Sequence, residues 1–135
     1  MNSDFRNLVV WQLAMDLANR VYDASERLPK QELFVLSEQM RDAALSVPAN
    51  IAEGKGRWSA REYRQFVRHA RGSLLELQSH ILFAGRRKFF SQESVDQLIA
   101  DAEEVGCKLN ALLHYLNRRA KRPPRPTTDD LRPNP

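Results

Sequence analysis

Ser46-Val47-Pro48-Ala49-Asn50-Ile51-Ala52-Glu53-Gly54 sets a proline, an amide and a carboxylate inside a segment whose apolar residues keep a helical period. Leu33, Leu36, Met40, Ala43, Ala44, Val47, Ile51 and Gly54 recur at helical offsets on both sides of Pro48. A proline inside a helix removes one backbone donor, crowds the carbonyl four residues back, here that of Ala44, and costs about 3 kcal/mol. Because the stripe stays in phase through Pro48, the spacing predicts a helix that bends there without stopping. Ala43, Ala44, Ser46, Ala49, Ala52, Gly54 and Gly56 leave room for another helix to come close, and Gly72 and Ser73 downstream offer it a matching surface.

Working outward, three more apolar stripes have the same period. Val10, Ala14, Leu17, Val21 and Leu28 define a first helix over about residues 8–28, ended by Pro29. Tyr63, Phe66, Val67, Ala70, Leu74, Leu77, Ile81 and Ala84 define a third, with Ser59 and Glu62 spaced as a capping box. Val95, Leu98, Ile99, Ala102, Val105, Leu109, Leu112 and Leu116 define a fourth, for which Ser91 or Ser94 is the candidate cap. The links at 29–31, 55–58 and 88–90 are short, which favours antiparallel neighbours. The expected fold is all-α, an up-down-up-down antiparallel four-helix bundle over residues 1–120. Five of the seven prolines fall in residues 121–135, so a flexible basic proline-rich tail is expected there. Its Pro123 and Pro126 match a Pro-x-x-Pro spacing, a pattern most often found in plain disordered termini.

At 135 residues, 42% of them hydrophobic and five of them glycine, the chain suits one helical domain. It has no apolar run of membrane-spanning length and no basic N-terminal segment leading into an apolar stretch, so a soluble cytoplasmic protein is expected. The lone Cys107 has no disulfide partner and no metal-ligand neighbour in the sequence. The net charge of +4 is unevenly spread: residues 55–88 hold nine basic against two acidic side chains, and residues 89–117 hold one against five. Such asymmetry raises the prospect of an anionic partner.

The basic segment contains a pattern. Arg57, Arg61, Arg64, Arg68 and Arg71 step by four, three, four and three residues, which sets them on one side of a helix, away from the apolar stripe. Glu62 stands at neither i±3 nor i±4 from any of them, so like charges face one another at a cost of a few tenths of a kcal/mol per pair. Two compensating partners stand open. One is acidic protein groups such as Asp96, Asp101, Glu103 and Glu104; the other is nucleic-acid phosphate, contacted through the backbone. Arg86, Arg87, Lys88, Arg118, Arg119, Lys121, Arg122 and Arg125 would extend the basic surface.

On the second helix Ser46, Asn50, Glu53 and Arg57 fall along one flank, which Glu76 of the third could join. This group reads as a polar network that sets helix register, with an intersubunit seam or ligand pocket as the alternative. Trp11, Phe34 and Trp58 lie off the stripes, which points to a subunit interface that covers them; base stacking on Trp58 is the rival reading. Chemistry is poorly represented. His69, His80 and His114 form no paired-ligand spacing, and there is no glycine-rich phosphate loop, nucleophile elbow or Glu-x-x-His motif, so neither catalysis nor a metal or other cofactor is expected.

Taken together, Leu8-x-Val10-Trp11, Ala14, Leu17, Val21-Tyr22, Leu28-Pro29, Glu32, Leu36, Gln39, the segment from Ser46 to Gly54, Gly56-Arg57, Glu62-Tyr63, Phe66, Ala70-x-Gly72-Ser73 and Leu75-Glu76-Leu77 resemble the 23S rRNA intervening-sequence protein family. The likeness covers roughly residues 5–115, and its most specific part is the segment around Pro48. It implies a bacterial cytoplasmic four-helix bundle assembled as a homopentameric ring, some members being encoded inside 23S ribosomal RNA genes. A similar bundle is the accessory variability protein of diversity-generating retroelements, a basic pentamer that works with reverse transcriptase and nucleic acid. Residues 85–90 and the tail are individual to this chain. The expectation is thus a non-enzymatic homo-oligomer whose basic face binds RNA or DNA with little sequence preference. The alternative is a protein-interaction scaffold whose arginines meet subunits or a partner protein.

Overall fold

The structure, a computed structural model, describes residues 4–121. Four helices carry the chain: α1 (Val9–Ser25), α2 (Leu36–Lys55), α3 (Ala60–Arg86) and α4 (Gln92–Lys121). Short 3-10 turns lie at Phe5–Asn7 and Lys30–Glu32, and there is no strand among the described residues. Each helix packs on its neighbours in chain order, and α1 closes the bundle against α4.

Contacts between helices give the directions. Gly54 meets Phe66 while Ser46 meets Ser73, so α2 and α3 run antiparallel. Gly85 meets Val95, Gly106 meets Leu74 and Arg64 meets Asn117, so α3 and α4 do the same. The apolar stripes turn inward as the period requires. Leu17, Val21, Met40, Val47, Ile51, Val67, Leu77, Ile81, Val105, Leu109 and Leu116 are buried in one core. At roughly 1.5–3 kcal/mol per fully buried large side chain, this core is the main favourable contribution to the fold.

The helix starts follow the caps. The Ser59 hydroxyl accepts from the Glu62 N–H at 3.1 Å, and the Ser91 hydroxyl accepts from the Ser94 N–H at 3.1 Å, so Ser91 is the cap of α4. The ends differ in places from the stripes. α1 stops at Ser25 because Arg27 and Leu28 donate three residues back, to Ala24 and Ser25, ahead of Pro29; Leu28 remains buried outside the helix. Leu33 does not belong to α2. The 3-10 turn after Pro29 and the non-helical Val35, at φ −122° and ψ −82°, take it out of phase and leave it exposed. In α4 the core takes Leu113, which the stripe omitted, while Leu112 and Ile99 are only half-buried.

α2 is one continuous helix through a buried Pro48. The small residues have the role their size suggests at one position above all. A Cβ added at Gly54 would lie 2.8 Å from Phe66 Cβ and 2.9 Å from Tyr63 Cδ1, so α3 leaves the link in direct contact with the α2 backbone. Gly72, by contrast, faces open space. Lys121 closes α4 instead of opening the tail, and the expectations for residues 122–135, including Arg122 and Arg125, lie outside the described residues.

Candidate functional site

The arginines do not form one row. α3 begins at Ala60, so Arg57 belongs to the α2–α3 link and cannot continue the helical ladder. Its guanidinium pairs with Glu53 at 2.9 Å and lies over the Phe66 ring at 4.5 Å, which ties its charge to α2. Arg64 does not point outward either. It is half-buried against α4, donating from Nη1 to Asn117 Oδ1 at 3.2 Å, and its Nε is buried without a hydrogen-bond partner among the described residues. The ridge of α3 that faces α4 lies at the edge of the arginine arc, and Arg64 is the member that falls on it.

Arg61, Arg68 and Arg71 remain exposed on α3, with no acidic side chain in ion-pair contact among the described residues. Of the acidic side chains on α4, Asp101 is engaged with Arg20 of α1 at 3.1 Å, a charge contact off the hydrogen-bonding direction. Arg86 ends α3, exposed. Arg87 lies 5.8 Å from the Phe89 ring centroid, and Lys88 takes the left-handed backbone at φ 61° where the chain reverses toward α4. These three sit at the opposite end of α3 from Arg61 and so make a separate basic spot.

The polar flank of α2 divides. Ser46 and Ser73 hydroxyls meet at 2.7 Å across the α2–α3 contact, and Asn50 donates to Ser46 O at 2.8 Å and Oγ at 3.0 Å. Glu53 and Glu76 stand apart from this group: both side chains are more than half exposed, Glu53 paired with Arg57 and Glu76 lying 3.5 Å from His80 of its own helix. The proximity of serine to serine follows from the small residues at this crossing; carboxylates carried on the outer edges of the two helices cannot reach it.

Of the aromatic residues off the stripes, Trp11 is half-buried, packed on the core and covered edge-on by Phe5 at 5.2 Å. Phe34 is 85% exposed in the α1–α2 link and Trp58 is 96% exposed in the α2–α3 link. Trp58 stands at the mouth of a cavity of about 380 Å³ between that link and the last turns of α4. Lys55, Arg57, Tyr63, Tyr115 and Arg119 share its wall, and no acidic residue does among the described residues. Arg119 Nη1 donates to Tyr115 Oη at 3.3 Å, and burial, with the Tyr115 phenol nearby, pushes the Tyr63 hydroxyl up to about 12.

Sequence reading did not bring Tyr63, Tyr115 and Arg119 together. The one local signal was the i, i+4 aromatic and basic pairing of Tyr115 with Arg119. Leu75, Leu82 and Phe83 were missed as well: they are exposed on α3 beyond the arginines. Among the described residues no group of His, Cys, Asp and Glu is placed to hold a metal ion, and no helix is long and apolar enough to cross a membrane.

Fold and site together place the chain among four-helix bundle proteins with a basic outer surface. Residues 6–111 match the 23S rRNA-intervening sequence protein family, and the chain belongs to it. A protein of unknown function from the S23 ribosomal protein family of Bacteroides thetaiotaomicron VPI-5482 has a similar structure. The TM-score is 0.73 at 22% identity, over 78% of this chain and 98% of that one, a likeness of fold. A search of curated proteins gives no match.

Proposed function

We propose that this chain is a non-enzymatic, self-associating bundle that binds the phosphate backbone of RNA or DNA through the outer face of α3, with little sequence preference. The observation that carries the reading is the set Arg61, Arg68 and Arg71, exposed on a rigid helix without acidic partners among the described residues. Ten residues at 1.5 Å rise span roughly 15 Å, the axial length of about four nucleotides in one strand of a duplex. Three cations so spaced offer sequence-independent contacts to phosphates along one strand. The family's name, which refers to 23S rRNA, makes RNA the first ligand to test.

Self-association draws on the second half of the same helix. Leu75 and Leu82 are two turns apart on one side and exposed, with Phe83 beside them. A subunit contact there would repeat the basic half of α3 around the assembly, and in the pentameric ring that the family resemblance implies, weak single contacts would add. The protein-scaffold alternative is favoured by Leu33, Phe34 and Val35, exposed in the α1–α2 link.

The test is fluorescence anisotropy of labelled single-stranded and duplex RNA and DNA with the full chain, across a salt series. In an Arg68→Ala/Arg71→Ala variant, duplex binding is expected to weaken at low salt and the log–log salt slope to become shallower by about 2. An unchanged slope in a folded variant refutes the placement on α3. No binding of any nucleic acid at low salt leaves the scaffold reading in its place.

A further inference from the structure

The arginine face accounts for phosphate contacts and leaves the cavity beside Trp58 unused. Its construction differs from that of the face. Three aromatic side chains, Trp58, Tyr63 and Tyr115, and three cations, Lys55, Arg57 and Arg119, surround about 380 Å³, with no carboxylate on the wall among the described residues. That volume lies toward the small end of the range for small-molecule sites. Arg57 is partly neutralised by Glu53, so the charge without an acidic partner among the described residues comes from Lys55 and from Arg119, whose guanidinium stays beside the Tyr115 ring at 5.7 Å. The first turn of α3, through Ser59 and Ala60, also borders the cavity and adds the positive end of the helix dipole.

We propose that this cavity binds one nucleoside phosphate, its base stacked on Trp58 and held near Tyr115, its phosphate met by Lys55 and Arg119. The indole is 96% exposed, so both of its faces are free to take a base. An apolar ligand would leave the cations unused, and a bare inorganic anion would leave three aromatic rings unused. A flat aromatic group joined to an anion uses both. Tyr63 keeps its proton throughout the physiological range, so its hydroxyl is available as a neutral hydrogen-bond donor at the cavity wall.

Two sources carry this chemistry, a free nucleotide and an unpaired residue of a nucleic-acid strand. In the second case the inference rests on the nucleic-acid reading above and refines it. A paired base in a duplex is stacked on its neighbours and cannot enter, so the cavity would add a preference for single strands.

The test uses Trp58 as the reporter in the full chain, with Trp58→Phe as the subtraction; the exposed side chain can be changed without touching the core. Adenosine monophosphate and a single-stranded hexanucleotide are expected to quench the Trp58 emission saturably. Ribose 5-phosphate and a blunt duplex are expected not to, and Arg119→Ala is expected to weaken adenosine monophosphate binding several-fold. In anisotropy, Trp58→Ala should weaken the single strand by about ten-fold and leave duplex binding unchanged. A hexanucleotide at least ten-fold tighter than the mononucleotide identifies the strand as source; equal affinities identify the free nucleotide.

Absence of saturable quenching by both ligands, or equal quenching by ribose 5-phosphate, overturns the proposal. If quenching fails while duplex binding persists, only the cavity inference falls. If quenching persists while the Arg68→Ala/Arg71→Ala variant binds duplex like the parent, only the placement on α3 falls.

Discussion

At the scale of single residues, two glycines in neighbouring helices have opposite expected behaviour. A methyl group at Gly54 would press on Phe66 Cβ and on the Tyr63 ring and carbonyl, where neither helix has a flexible chain end to give way. Overpacking of this kind costs about 1–3 kcal/mol, against a gain of about 1 kcal/mol in helix propensity. Gly54→Ala is therefore expected to destabilise by about 1 kcal/mol. Gly72→Ala, in open space on α3, keeps only the propensity gain and is expected to stabilise by about 1 kcal/mol. Urea unfolding of the two variants checks both signs; stabilisation by Gly54→Ala would mean that the helices separate there at little cost.

Tyr63 links burial to pH. Its hydroxyl is raised to about 12 in the folded protein and titrates near 10 when unfolded, so the unfolded chain loses its proton first. The stabilisation is fully present below about pH 10 and disappears as pH rises from there to about 12. With part of the ring reached by solvent, a loss of about 1–2 kcal/mol is expected over that window. Unfolding free energies measured from pH 9 to 12 for the parent and Tyr63→Phe isolate it, because the other titrating groups are common to both. Parallel curves would show that Tyr63 ionises alike in both states.

At the scale of elements, the α2–α3 crossing is held by a polar contact within an apolar seam. Ser46 and Ser73 bond across it, while Asn50 is committed to Ser46 of its own helix. A double-mutant cycle of Ser46→Ala and Ser73→Ala is expected to give a coupling of about 0.5–1 kcal/mol in unfolding experiments. Glu53→Ala, which removes an exposed pair with Arg57, is expected to change stability by less than about 0.5 kcal/mol. A vanishing serine coupling, or a large effect at Glu53, would reverse the division of the flank drawn above. The serines of this seam were legible at the level of size, since only small residues permit the approach. Their pairing was not, because periodicity fixes the direction of a side chain about its own axis and says nothing of depth against a neighbour.

At the scale of the whole molecule, the solvent side of α3 is basic in its N-terminal half and exposes Leu75, Leu82 and Phe83 beyond it, ahead of Arg86 at its end. Leu75→Glu/Leu82→Glu changes exposed positions only, so the monomer fold should survive. Under the self-association reading the variant's mass by light scattering is expected to fall to that of a single chain, about 15.6 kDa, while the circular dichroism of the helices is kept. An assembled variant would move the subunit contact elsewhere, with Phe34 in the α1–α2 link as the next exposed candidate.

The helices, their order and most of the core were legible in the sequence, because apolar spacing and serines at helix starts are local signals; the structure chose Ser91 over Ser94 as the cap of α4 and ended α1 at Ser25, ahead of Pro29. The sequence by itself also determined that α2 passes through Pro48, since the stripe on either side keeps one phase. Tertiary structure alone decided which polar groups meet between helices. It turned Arg64 inward to Asn117, laid Arg57 over Phe66, and set Tyr115 and Arg119 of α4 beside Trp58 and Tyr63. The physical reason is that a helix's pattern specifies one rotation about one axis. A site built from two helix ends more than fifty residues apart in the chain depends on how four such axes pack together.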